Sequence, residues 1–462
     1  MKLEKRQSNE NIMGTLPIGK LMMKMSVPVI LSMLVSSLYS IIDSVFVSRL
    51  GENALTAMSL ATPISSLLAC VSVGFSVGMN ASLSRNLGEG KYEDANRAAG
   101  NGLFINWICA GLFLIFGLFL TRPFYEIQTD IVEIQQLGIS YTSIVCIFAF
   151  GVCNQTMFER MLMATGRPIG SVIALTTGTI ANLILDPVLI FGYLGAPALG
   201  MQGAAIATII AQFLAAGVAF GFNILKNKDI HFDLGMLKPK KTIMKQIWNV
   251  GFPAALQQSI APMLTFGMNQ ILLGFTPAAP AVYVIFVRLQ SIVLIPIWGL
   301  RNTVVSIISY NFGAGYRQRI QQTMKICFIS TVIITCIGVV IFQIYPNILL
   351  ALFNATGDVL SIGTVALRIV SIVFPFSGIT LILGAFFQAL DKSKLTLFTS
   401  IVQFIFMLFM AGVLAYIGTV FTIWFAFVIT EIIVAMIAIY FMRDVSKNVI
   451  SNIYGRTAIE ST

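Results

Sequence analysis

The clearest chemistry in this sequence lies in a few oxygen-bearing residues set inside apolar stretches. Asn182 precedes Asp186 by four residues, so the two share one helix face. Pro187 follows directly; it lacks an N–H and frees the Leu183 carbonyl, which predicts a bend there. Asp43 sits in an earlier apolar stretch and Thr208 in the one after Asp186. Oxygen-only donors suit a hard cation, and two close carboxylates can instead share a proton. A network that merely ties helices together is the plainer alternative. Such bonds average about 0.6 kcal/mol in membranes, a poor reason to bury two acids.

A second set lies in the C-terminal half: Arg288, Arg301, Arg368 and Glu431. These groups can pair with one another or line a cavity. Arg288 and Glu431, each alone in an apolar stretch, are expected to line a substrate cavity together with Met268 and Met407. The 21 methionines and 35 phenylalanines offer a soft, adaptable wall. Glu159 stands next to Arg160 near the end of its stretch, where a surface ion pair accounts for it. Histidine chemistry has only His231 to draw on, in a polar loop, and the six cysteines form no CxxC or CxxH cluster. No catalytic centre, zinc site, cofactor or disulfide framework is expected.

The elements that must position these residues are membrane helices. Of the 462 residues 57% are hydrophobic and 10% charged, with a mean hydropathy of +0.88. A soluble domain is about 25% charged, so soluble enzymes, nucleic-acid binders and disordered scaffolds are excluded. Apolar runs long enough to span about 30 Å of hydrocarbon predict twelve helices, near 20–48, 55–84, 97–120, 134–162, 168–192, 200–225, 247–273, 281–310, 322–345, 359–388, 394–417 and 420–442. From the first basic end of its span, Asp43 is roughly 35 Å along and Asp186 roughly 27 Å, so both fall at similar depth. The polar N-terminus carries no signal-peptide pattern.

Basic residues set the expected orientation. Of 29 Lys and Arg, 24 lie in one set of alternate segments, Arg49 and Arg122 in the other, and three within spans (29 − 2 − 3 = 24). Both termini are therefore expected on the cytoplasmic side of the cytoplasmic (inner) membrane. The chain also repeats at an offset of 225. Pro28 falls on Pro253, Ala164 on Ala389, and Asn86-Leu-Gly-Glu-Gly90 on Asn311-Phe-Gly-Ala-Gly315. The division expected is residues 1–225 as one six-helix lobe, 226–246 as a basic cytoplasmic linker, and 247–462 as a second lobe. Six spans per repeat make the lobes parallel, related by a pseudo-two-fold axis along the membrane normal, with a cavity between them. At the same offset Asp43, Asn182 and Asp186 map to Met268, Met407 and Ala411, so the acidic cluster belongs to one half only.

Several motifs together resemble one family. Pro28 is followed by Asp43 and Ser44-Val-Phe-Val-Ser-Arg-Leu-Gly51. Glu159-Arg-Met-Leu-Met-Ala-Thr-Gly166-Arg-Pro168 leads into Ala181-Asn182-Leu-Ile-Leu-Asp186-Pro187, and Gly200-Met-Gln-Gly203 leads to Thr208. With Tyr310-Asn-Phe-Gly313, these are similar to the multidrug and toxic compound extrusion (MATE) family, most of all its bacterial members. The resemblance implies efflux of organic cations and other amphipathic drugs, driven by inward Na⁺ or H⁺ with alternating access. It implies that Asp43, Asn182, Asp186 and Thr208 hold the coupling ion, as metal ligands if that ion is Na⁺. Other family members use acids in spans 7 and 10; here those spans offer Gln257, Gln258, Ser259, Ser377 and Thr380. A monomer in the lipid bilayer, with small drugs as its partners, is expected.

Three rival functions share parts of this pattern. A lipid-linked glycan flippase of the same superfamily favours a strongly basic cavity, which the three arginines keep open. A major facilitator would carry a different loop after span 2 from Asn86-Leu-Gly-Glu-Gly-Lys-Tyr-Glu93. An intramembrane enzyme lacks its nucleophile.

Overall fold

The computed structural model describes residues 11–276, 278–353 and 355–453, and the side chains of all of these except 38–45 and 234. The chain is all-α. Twelve crossing segments follow in order: α1 (Ile18–Ser48), α2 (Glu52–Gly88), α3 (Tyr92–Gln128), α4a (Val132–Ile147) with α4b (Phe150–Ala164), α5 (Pro168–Phe191) and α6 (Met201–Lys226). Then come α7 (Lys241–Leu273), α8 (Ala278–Ala314), α9 (Arg317–Ile344), α10a (Gly357–Ser371) with α10b (Phe374–Ala389), α11 (Ser393–Ile417) and α12 (Phe425–Val445). Among the described residues, 9 helices and 2 bent pairs are long and apolar enough to cross a membrane. The twelfth, α7, is as long but carries Gln257, Gln258, Ser259 and Asn269.

Two expected spans are broken rather than continuous. The fourth bends by 45° between α4a and α4b, and the tenth by 50° between α10a and α10b. Pro375 explains the second break, since its ring fits the first turn of a helix and not an interior one. Pro187, by contrast, interrupts nothing: α5 continues through it to Phe191 and ends on Gly192 at φ +77°.

The lobes meet along α1 and α2 of the first half and α7 and α8 of the second. The 225-residue repeat is visible there as reciprocal contacts. Gly74 on α2 lies against Ala255, and Gly299 on α8 lies against Ile30 (299 − 74 = 225; 255 − 30 = 225). A β-carbon on Gly88 would strike the Tyr310 carbonyl oxygen, and one on Gly313 would strike the Arg85 carbonyl oxygen. Ser84 donates to the Ala164 carbonyl at 3.0 Å and Ser309 to the Ala389 carbonyl at 3.2 Å, each across a separation of 80 residues. Both halves thus use one motif to bring backbones together at a shared axis.

The bundle is closed at the end that carries these glycines. Arg85 pairs with Asp391 and sits 4.8 Å over the Phe312 ring. The segment before α1 ties both halves: Asn11 donates to the Thr165 carbonyl at 2.9 Å, while Arg319 donates to the Met13 and Leu16 carbonyls at 3.0 and 2.7 Å. Gly88→Ala and Gly313→Ala overpack this contact. Each is expected to cost about 1–3 kcal/mol, lowering the unfolding temperature of the purified protein in detergent. Gly111→Ala, which meets open space, should show no such loss.

Candidate functional site

Small residues place the Asn182–Asp186 pair. The buried stripe of α5 runs Ala174, Gly178, Asn182, Asp186, Ile190, at a repeat of four. Gly178 lets α5 approach α6 so closely that a β-carbon there would lie 2.9 Å from the Ala215 β-carbon. That packing turns Asn182 and Asp186 inward; they are 7% and 0% exposed. The Asn182 amide donates to Asp186 Oδ1 at 2.8 Å. The sequence-level pairing of these two residues therefore holds in space. Thr208, on α6, donates its hydroxyl proton to the Ala204 carbonyl at 3.0 Å, one turn back in its own helix. It makes no hydrogen bond to Asp186. Asp43 belongs to α1, which packs on α5, but its side chain lies outside the described residues. One carboxylate and one amide oxygen, closed off from the surface, form the core of a donor set that suits a hard cation or a held proton.

The second half fills the equivalent places with carbon. Met268, Met407 and Ala411 are all buried in one hydrophobic cluster between α7 and α11. Met268, expected to line a cavity, is instead fully buried in that core; only Met407 also borders a cavity.

That cavity, of about 410 Å³, lies mainly in the second half between α7, α8, α10b, α11 and α12, with Cys70 of α2 on its wall. Tyr283, Phe286 and Phe427 form an aromatic wall, with Gln257, Arg301 and Glu431 as polar groups. Glu431 is 5% exposed. Its Oε1 accepts from the Gln403 amide at 2.5 Å, and the Ser377 hydroxyl lies beside the carboxylate. Spans 7 and 10 contribute neutral Gln257, Gln258, Ser377 and Thr380, and the acid of this cavity comes from α12.

A second cavity, of about 420 Å³, lies between the halves. It is lined by α1, α4b, α5 and α8 through residues that include Ser36, Glu159, Arg160, Ser171, Trp298 and Asn302. Glu159 and Arg160 form no surface ion pair. The Gln155 amide donates to Glu159 at 3.1 Å, and Arg160 reaches across to Asn302 Oδ1 on α8 at 3.1 Å. The α4 bend carries them inward. Their sequence signal was two ionisable residues still within the span, just ahead of its end.

Arg288 and Arg368 line neither cavity; both are exposed. On α8 the cavity face runs Tyr283, Phe286, Val287, Gln290, Leu294, Trp298, Arg301. Arg288 is one residue beyond Val287, about 100° round the helix, on the exposed stripe with Val284 and Ile292. Arg301 does face the cavity and donates to Gln257 Oε1 at 3.0 Å.

Comparison with known proteins agrees with this two-fold plan. The MatE family profile matches residues 28–188 and again 253–417, starting 225 residues apart. The chain belongs to the MatE family. A relative is the multidrug export protein MepA of Staphylococcus saprophyticus, 26% identical over 432 residues, covering 92% of this chain and 94% of that protein. Another is the FAD transporter of Shewanella oneidensis, 24% identical over 442 residues, covering 94% and 96%. Among solved structures, an outward-facing multidrug resistance MATE transporter superposes with a TM-score of 0.89 at 20% identity, covering 96% of this chain and 98% of that one. This MatE chain is accordingly a multi-pass membrane transporter and not an enzyme.

The placements of Met268 and Arg288 separate core from surface. Met268→Ala opens a hole in a packed core and should cost about 2–5 kcal/mol. Arg288→Gln should change stability by no more than about 0.5 kcal/mol. Thermal unfolding of both purified variants checks the contrast.

Proposed function

We propose that this chain is a secondary active multidrug exporter, moving cationic and other amphipathic drugs outward in exchange for inward Na⁺ or H⁺. Lobes 1–225 and 247–462, joined by 226–246, would alternate access around the cavities between and within them. The observation that carries the proposal is the buried Asn182–Asp186 pair, present in one half and replaced by Met407 and Ala411 in the other. A carboxylate with no packing duty in the sister lobe is best explained by what it binds. The relatives named as multidrug export proteins support drugs as the cargo.

The coupling site in this proposal is Asp43, Asn182, Asp186 and Thr208. Binding Na⁺ or a proton neutralises charge between α1 and α5, where their packing is tight, and so shifts the balance between two arrangements of α1. Thr208 keeps free lone pairs after donating to Ala204, which suits a neutral ligand. Glu431 would favour cationic groups in the cavity of the second half. A lipid-linked glycan flippase fits less well: the cavity of the second half sets Glu431 against Arg301, and the one between the halves sets Glu159 against Arg160. The protein would act as a monomer in the cytoplasmic membrane, with both termini and the linker inside and with no nucleic acid or cofactor involved.

Reconstitution in proteoliposomes with imposed Na⁺ or pH gradients tests this. Asp43→Asn and Asp186→Asn should each abolish gradient-driven efflux of a cationic dye while the protein still inserts. Thr208→Ala should be milder, because water can replace a hydroxyl ligand. Parental rates in both Asn variants, at normal abundance, would move the coupling site elsewhere. For orientation, a cysteine placed in 226–246 should resist an impermeant thiol reagent in intact cells.

A further inference from the structure

The two broken spans end in the same turn and fill it differently. α4b leads into α5 through residues 165–167, and α10b into α11 through 390–392, at the 225-residue offset. In each turn one N–H reaches back five residues: Arg167 donates to the Leu162 carbonyl at 2.8 Å, and Lys392 to the Phe387 carbonyl at 2.7 Å. The residue before that donor is left-handed in both, Gly166 at φ +76° and Asp391 at φ +59°. Glycine adopts this helix end without a steric penalty, whereas an L-residue is strained there. The second half nevertheless places an aspartate.

The first half has no room to do so. The segment ahead of α1 lies over Gly166, where a β-carbon would come within 2.9 Å of Ile12 and 3.1 Å of Asn11 Oδ1. The same segment covers Tyr310, since a β-carbon on Gly14 would lie 3.0 Å from its ring. Tyr310 is the repeat partner of Arg85 (310 − 85 = 225), as Asp391 is of Gly166 (391 − 166 = 225). One corner of the closed end is thus filled by a strap of chain. At the equivalent corner Arg85 and Asp391 pair with each other across the two halves. Arg85 Nε donates to Glu89 Oε1 at 3.1 Å, and Nη1 donates to Asp391. The Phe312 ring of the second half lies 4.8 Å from the guanidinium carbon.

We infer that Arg85 and Asp391 form an ionic latch that sets how readily the halves part at this end, in the place that the strap fills at the other corner. The left-handed backbone carries a side chain there because the carboxylate reaches the opposite half. Both side chains are partly exposed, 29% and 35%, so the latch is weak enough to release and is open to screening by salt. The inference rests on the alternating access proposed above.

Spin labels carried by unnatural amino acids at positions 92 and 394 report the parting as a distance. Both positions are exposed, one at the start of α3 and the other at the start of α11. Pulsed electron paramagnetic resonance on the full-length protein in lipid nanodiscs, with no gradient, gives the ratio of parted to closed molecules. Asp391→Asn and Asp391→Gly should each raise that ratio roughly two- to fivefold. Asparagine accepts the same backbone and glycine relaxes it, so agreement between them assigns the effect to the charge. Arg85→Gln should match them, and the double variant Arg85→Gln, Asp391→Asn should open no further than either single one. Raised salt should move the parental ratio towards the variants and leave the Asp391 variants in place. An unchanged ratio in both Asp391 variants, a double variant that multiplies the two single effects, or a parental ratio indifferent to salt would overturn the latch. The salt response is read on the parental protein and decides even where a variant misfolds. A single distance throughout would count against alternating access and take the latch with it; two distances in a ratio blind to Asp391 would remove the latch alone.

Discussion

Hydrocarbon cannot hydrogen-bond, so a polar group inside the membrane must find its partner within the protein. Most of the polar side chains in this molecule obey that constraint locally. Serine and threonine hydroxyls fold back onto the carbonyl one turn earlier, as Thr208 does on Ala204 and Thr380 on Phe376. Others bond to side chains instead: the Asn182 amide to Asp186, the Gln403 amide to Glu431, and Arg160 and Arg301 to the neutral amides of Asn302 and Gln257.

The two halves share a skeleton and differ in how they fill it. Glycines at equivalent positions let α2 and α8 approach the opposite half, and equivalent serines hold the α2–α4b and α8–α10b contacts. Because backbone contacts tolerate little change, the duplicated frame is preserved at its axis. Side chains away from the axis are freer to diverge. The first half has an amide and an acid where the second has methionine and alanine, and the second has an acid of its own on α12.

Closure at the glycine end comes from groups far apart in the chain. Arg319 and Asn311 both grip the Met13 carbonyl, and Asn11 grips Thr165 of the other half. Asp229, beside Asn11, shows what burial does even at this margin: desolvation raises its carboxyl above the ordinary value although Arg167 lies 3.2 Å away and pulls the other way. A short segment ahead of α1 thus clasps both lobes. An arrangement that parts the lobes at this end must release the segment from at least one of them.

Local rules made much of this legible in the sequence. Hydropathy gave twelve crossings, with most ends within about a turn and a half and the third ending eight residues short of Gln128, because a span must match the thickness of the bilayer. The 225-residue repeat was plain from prolines, glycines and asparagines whose backbone roles allow few substitutes. Asn182 and Asp186 were paired correctly because residues four apart on a helix meet whatever surrounds it. Tertiary structure alone decided the rest. Arg288 and Arg301 sit on one helix, and only its rotation against α7 and α10b sends one to the surface and the other to a cavity. Met268 belongs to the core because α11 covers it. Glu159 and Arg160 enter the space between lobes because α4 breaks at residues 148–149, where no proline announces a bend. Period and hydropathy fix what a helix is; which way it faces is set by side chains hundreds of residues away.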